Sequence, residues 1–337
     1  MKASVIGGGS WGSAFSLHLG RLNIETKLWI REKDVYEEAL RHKENRTFLP
    51  GFVFPPQVSF FNGMKEAAAS SDIVFIAVPS KFCRSVYKEL ASNLSANHMI
   101  VSLTKGIEER SLKRMSEVME EVFSPFFVPR IAVLSGPSFA KEVVEHHPTA
   151  VVLASKDHEM AKKLQHLISS HTFRTYTSED IIGVELAGAI KNVIAIAAGI
   201  TDALQFGSNA IAALITRGIA EVTRLGVKLG ARMETFAGLA GIGDLVLTCT
   251  GKLSRNRYTG YELGKGKSLP EIVSTMKMVA EGISTTHCVH QLAKREKIEM
   301  PICEQVYQVL YKKKDPRAAL QDLMMRKLKS EYKIRKE

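Results

Sequence analysis

Three glycines, Gly7, Gly9 and Gly12, follow directly on an apolar run that begins at residue 2. No other feature limits the fold as much as this G-x-G-x-x-G pattern. Gly7 permits a tight turn, Gly9 lets the backbone approach a pyrophosphate, and Gly12 lets the next helix pack on the strand with its N-terminal amides facing the anion. A glycine-rich turn without a ligand would show the same spacing. The position directly after a first strand, with a second strand ending at Ile30, favours a dinucleotide.

The first half of the chain repeats this strand-then-helix alternation. The strand-like runs are KASVIGG, TKLWI, VSFF, DIVFIAVPS, MIVSLTKG and RIAVLSGPS, and most are separated by enough chain for a crossover helix. AVVLAS near residue 150 and TFRTYT near 172 read as two further strands. Such alternation predicts a parallel, doubly wound, Rossmann-like sheet, because parallel neighbours require crossovers. From about Ile181 the texture turns to Ala/Gly-rich helical sequence such as VELAGAIKNVIAIAAGI, packed through small residues. The expected architecture is therefore α/β, with a dinucleotide-binding domain over 1–179 and an all-helical, substrate-binding domain over 180–337. Within the second domain, GLAGIGDLVLTCTGKLSRN reads as a long loop.

The 337 residues suffice for two such domains, and 45% hydrophobic with 24% charged residues fits an ordinary soluble globular protein. No run reaches the ~18 apolar residues of a membrane span, and the start MKASVIGGGS lacks the form of a signal peptide. Cytoplasm is the expected location. Cys83, Cys249, Cys288 and Cys303 are far apart without a CxxC pair, which argues for reduced thiols rather than a metal cluster or disulfides. The net charge of +11 raises the question of nucleic acid, but residues 312–337 alone carry ten Lys/Arg against four Asp/Glu. That tail reads equally as a solvated helix face. The remaining surplus fits phosphorylated small ligands, so no nucleic-acid partner is expected.

Polar residues gather where a doubly wound sheet holds its ligands, at strand ends and in the loops that follow. Lys105 in LTKGIE, with Gly136 and Ser138 in LSGPSFAKEV, stands at such ends, although a lysine after a strand is commonly a solvated boundary residue. Lys191 is more informative. Its helical neighbours are Ala187, Gly188, Ile194 and Ala195, so its ammonium projects from a small apolar surface, where desolvation lowers a lysine pKa toward the range of proton transfer. The alternative is a lysine snorkelling to solvent. Asp244, Ser254, Arg255 and Asn256 form a donor-rich cluster in which Arg255 offers a planar fork for phosphate; a capped surface turn would look similar. At the end of the second strand Arg31 stands where an acid usually holds the ribose of NAD, with Glu32 next to it. The guanidinium suits the 2′-phosphate of NADP, and a solvated arginine is the other reading.

Taken together, GGGSWGSAF, NRTFLPG, VSLTKGIE, LSGPSFAKEV, ELAGAIKNVIAIAAGI, GLAGIGDLVLTC with SRN, and VAEGISTT resemble the NAD(P)-dependent glycerol-3-phosphate dehydrogenases over residues 7 to 286, about four fifths of the chain. The resemblance implies that Ser10, Trp11, Arg31, Ala140, Val279 and Glu281 touch NADP or NAD. It implies that Gly136, Ser138, Asp244, Ser254 and Asn256 line the pocket for dihydroxyacetone phosphate or sn-glycerol 3-phosphate, with Lys105 and Arg255 near both ligands. Lys191 would contact substrate and donate the proton in the reductive direction, with Asp244 orienting either the substrate or Lys191. Phe48 departs from the tyrosine of many members, which removes a hydroxyl contact to the cofactor. The product would feed glycerophospholipid synthesis, and the apolar helices of the second domain suit a homodimer.

Two other functions fit parts of this pattern. A sister dehydrogenase for a 3-hydroxy acid or ketopantoate would share the architecture but need a carboxylate clamp. A non-catalytic dinucleotide sensor would tolerate loss of Lys191.

Overall fold

All eight apolar runs form strands in the computed structural model, which describes residues 1–276, 278, 280–328, 330 and 331. They are β1 (Ala3–Ile6), β2 (Thr26–Trp29), β3 (Val58–Phe61), β4 (Ile73–Ile76), β5 (Met99–Ser102), β6 (Arg130–Ser135), β7 (Thr149–Ala154) and β8 (Phe173–Ser178). They make one sheet in the order β3-β2-β1-β4-β5-β6-β7-β8, with Ala3 of β1 paired to Thr26 on one side and Ile73 on the other. The order reverses between β1 and β4, and a sheet of this kind opens its ligand crevice at the carboxyl ends of those strands. β1, β4 and β5 are buried at every position because helices cover both faces, whereas β3 and β8 alternate between buried and exposed positions at the two edges.

The expectation of a wholly parallel sheet fails at one joint. β6 and β7 pair antiparallel, and β8 then runs parallel to β7. Residues 136–148 connect them through only a five-residue helix, Ala140–Val144. That helix spans about 7 Å, too short to carry the chain back along a six-residue strand of roughly 20 Å. The chain therefore re-enters the sheet in the reverse direction.

Among the described residues every element beyond β8 is a helix, built around the central helix Ile181–Ala203. Asp180 caps its start by accepting from Gly183 N at 2.9 Å. By length and composition this helix could cross a membrane, but 89% of its most apolar window is buried by the rest of the chain. Small residues bring its neighbour close: a Cβ on Gly199 would lie 1.9 Å from the Arg257 carbonyl oxygen, and one on Gly260 would lie 1.9 Å from that of Ile196. Helix Arg255–Gly264 thus packs backbone against backbone on the central helix. Glu185 ties the central helix to the sheet domain, accepting from Ser116 N (2.8 Å), Ser116 Oγ (2.5 Å) and Arg114 Nη1 (2.7 Å).

The segment read as a long loop is mostly helical. A π-helical turn, Leu239–Gly243, runs into helix Asp244–Thr250 before a short link to Arg255. Its glycines suggested a loop, yet Gly241 serves close packing: a Cβ there would sit 2.2 Å from the Phe236 carbonyl oxygen.

Candidate active site

The carboxyl ends of β1, β4 and β5 and the helices beyond them enclose a cleft of about 860 Å³. One wall is the glycine turn. Gly7 has φ +125°, a conformation open to glycine, and a Cβ on Gly12 would lie 1.9 Å from the Gly7 carbonyl oxygen. Among the described residues a Cβ on Gly9 would meet nothing within 4 Å, and the cleft there is bounded by Gly7, Ser10 and Trp11. Helix Ser10–Arg21 begins there with no side-chain cap and no acidic residue in its first turn. Its N-terminal amides and dipole suit a pyrophosphate.

Farther along the cleft Arg31 lies over the Phe82 ring at 5.1 Å and donates to Glu32 Oε1 at 2.6 and 3.1 Å. Ala140 also lines the cleft, as does Glu281, whose carboxylate accepts from Ser80 N at 3.1 Å and Ser80 Oγ at 2.5 Å. Burial raises the Glu281 pKa, opposed by the bonds from Ser80 and by Arg255 nearby. Val279 lies outside the described residues.

Two lysines share one carboxylate in the cleft wall. Lys105, just after β5, donates to Asp244 Oδ2 at 2.7 Å and to the Gly136 carbonyl at 2.8 Å. Lys191, on the central helix, donates to Asp244 Oδ1 at 2.7 Å and to Thr248 Oγ1 at 2.6 Å. Desolvation of the Lys191 ammonium lowers its pKa to about 8, with Asp244 opposing and Lys105 assisting that shift. Asp244 is only 1% exposed, so its carboxylate stands behind the lysines rather than in the cleft wall. Gly136 likewise contributes a carbonyl to Lys105 from behind, while Ser138 lines the cleft and donates to the same carbonyl at 2.9 Å.

Opposite, the first turn of helix Arg255–Gly264 carries the remaining donors. Ser254 caps that helix by accepting from Arg257 N at 3.2 Å. Asn256 donates to Asn192 Oδ1 at 2.9 Å and accepts from Gly282 N at 2.9 Å, so one of its amide hydrogens is spent on positioning. Arg255 is exposed and lines the cleft beside Ser254 and Asn256. An arginine fork at a helix N-terminus is an anion site of the size of one phosphate.

Thr248 and Asn192 line the same cleft and were not singled out from sequence. Thr248 stands four residues after Asp244, and once that segment is recognised as helix the i, i+4 spacing places both on one face. Asn192 simply follows Lys191.

Comparison with known proteins agrees with this geometry. Models described as the N-terminus and the C-terminus of NAD-dependent glycerol-3-phosphate dehydrogenase match residues 2–161 and 180–321. A glycerol-3-phosphate dehydrogenase [NAD(P)+] of Syntrophotalea carbinolica is 48% identical over 331 residues, covering 98% of this chain and 99% of that protein. One from Geobacter sulfurreducens is 48% identical over 330 residues, covering 98% of each. The crystal structure of glycerol-3-phosphate dehydrogenase from Coxiella burnetii superposes with TM-score 0.93 at 39% identity, over 96% of this chain and 99% of that one. A ketopantoate reductase from Ralstonia eutropha, with TM-score 0.60 at 14% identity, shares the fold alone.

Proposed function

This chain belongs to the NAD-dependent glycerol-3-phosphate dehydrogenase family, and from that premise we propose that Lys191 exchanges the proton as dihydroxyacetone phosphate and sn-glycerol 3-phosphate are interconverted. The chain is an NAD(P)-dependent oxidoreductase acting on a CH–OH group, and supply of its product to glycerophospholipid synthesis is part of the same proposal. The observation that carries the proposal is the buried Lys191 ammonium, held by Asp244 and Thr248 in the wall of the cleft that also contains the glycine turn.

When bound, the reduced nicotinamide supplies hydride to the ketone carbon. Lys191 donates a proton to the oxygen as negative charge develops there, and its pKa of about 8 leaves it both protonated and a ready donor near neutral pH. Lys105 adds a second positive charge on the same carboxylate, so the lysine pair stabilises the developing alkoxide. Asp244 fixes both ammonium groups in place. Arg255, the second amide hydrogen of Asn256 and the helix N-terminus hold the phosphate and turn the carbon toward the cofactor.

Arg255→Ala tests the phosphate clamp. If a charge-assisted bond contributes roughly 1.5 to 3 kcal/mol, kcat/KM for dihydroxyacetone phosphate falls at least about tenfold, chiefly through KM. The effect on unphosphorylated dihydroxyacetone should be small. Equal losses with both ketones in steady-state assays would remove Arg255 from the phosphate site.

The Arg31–Glu32 pair bears on cofactor choice. Arg31 is aligned on the Phe82 ring, and a 2′-phosphate there would replace Glu32 as its partner; we expect NADPH to be used at least as well as NADH. Arg31→Ala then loses kcat/KM selectively with NADPH. Equal, small changes with both cofactors would make Arg31 a surface residue.

Two organisational proposals accompany this reading. The domains are 1–179 for the dinucleotide and 180–337 for substrate, supported by the end of β8 at Ser178 and the Asp180 cap. A homodimer is proposed from the apolar helices of the second domain; the molar mass in solution, against 37.3 kDa for one chain, decides it.

A further inference from the structure

The segment NRTFLPG, residues 45–51, has no part in the proton or phosphate chemistry above, yet its first residue is bonded into the glycine turn. Asn45 is fully buried. Its Nδ2 donates to the Gly8 carbonyl at 2.7 Å and to Ser13 Oγ at 2.8 Å, while its Oδ1 accepts from Phe48 N at 3.0 Å. Ser10 Oγ donates to the Phe48 carbonyl at 2.6 Å, so the segment and the turn are joined from both sides. The segment is also closed on itself, with Gly51 N donating to Glu44 Oε1 at 2.6 Å and Phe54 N to the Lys43 carbonyl at 2.7 Å. Phe48, Leu49 and Pro50 contribute to the cleft wall.

The Gly8 carbonyl and the Gly9 amide belong to one rigid trans peptide plane and point in opposite directions. A bond that fixes Gly8 O therefore fixes Gly9 N–H on the other side. Ser13 Oγ also donates to Gly8 O, at 3.3 Å, but the bond from Asn45 Nδ2 is the shorter at 2.7 Å and is the stronger restraint on a plane that two successive glycines leave permissive, and whose reversal would present a carbonyl oxygen to an anion.

We propose that Asn45 is a positioning residue for the dinucleotide: it clamps the Gly8–Gly9 peptide so that Gly9 N–H faces the pyrophosphate, and it couples that plane to the Phe48 wall. This rests on the glycine turn as the cofactor site. Ser13 gives the clamp its second anchor, within the first turn of the helix whose amides complete the anion cradle.

The test is steady-state kinetics of Asn45→Ala and Asn45→Asp with NADPH, NADH and dihydroxyacetone phosphate. In Asn45→Ala the KM for either dinucleotide should rise about tenfold, with kcat at saturation and the KM for dihydroxyacetone phosphate held within about twofold. Asn45→Asp should be worse, because it sets an acceptor against Gly8 O and a negative charge beneath the pyrophosphate. An unchanged dinucleotide KM, equal changes in all parameters, or an aspartate variant no worse than the alanine one would overturn the proposal. Should Asn45→Ala not fold, Asn45→Ser, whose hydroxyl sits one bond short of the Nδ2 that reaches Gly8 O, is read by the same split. Binding of NADPH to the unaltered enzyme, measured alongside, reports on the cofactor site independently of Asn45.

Discussion

Lys191→Met should lower kcat for dihydroxyacetone phosphate reduction by about 10²-fold or more, with cofactor binding nearly intact, because it keeps the stem volume and removes the proton donor. The pH dependence gives the same claim a sign. The Lys191 pKa is lowered to about 8, so the ammonium needed for reduction is lost as pH rises through about 8, and kcat/KM falls across that range. Oxidation of sn-glycerol 3-phosphate needs the neutral amine, and rises through the same range. In the methionine variant the residual rate should lack this limb. A variant that turned over normally, or that kept the limb, would place the titrating donor elsewhere.

Asp244→Asn is the second large effect. It leaves two lysine ammonium groups side by side without the carboxylate that each now holds at 2.7 Å. Breaking a buried pair typically costs about 3 to 5 kcal/mol, with Lys105 at the lower end because its side chain is 19% exposed. We expect a clear fall in thermal stability and a drop in kcat on the order of 10²-fold. Asp244 raises the Lys191 pKa, so its removal moves the falling limb of reduction to lower pH. If Asp244 served the substrate hydroxyl alone, KM would rise while the limb stayed at about 8.

That distinction separates what the sequence carried from what it did not. The eight strands, the glycine turn and the long central helix were legible because each rests on local chemistry: apolar runs of strand length, a turn that favours glycine, and Ala/Gly-rich helical sequence from about Ile181. The reversal at β7 depends on how far a 13-residue connection reaches, which no local periodicity records. The helix Asp244–Thr250 was hidden by its flanking glycines, which serve close packing rather than chain flexibility. The place of Asp244 behind the lysines is not legible in the sequence, since it follows from meeting Lys191 and Lys105 across 53 and 139 residues of chain. Lys191 was legible because a lone lysine among alanines and glycines on an apolar helix already implies burial. Asn45 stood in a recognised motif, but its role required seeing the carbonyl that it binds.

The central claim is that this cleft reduces a phosphorylated ketone. The most direct measurement is the fall of absorbance at the nicotinamide band when the enzyme meets NADPH or NADH with dihydroxyacetone phosphate, and separately with unphosphorylated dihydroxyacetone and with ketopantoate. Rapid oxidation of the cofactor is expected with dihydroxyacetone phosphate, and little with either of the others. Faster turnover of ketopantoate, or equal turnover of the phosphorylated and unphosphorylated ketones, would contradict it.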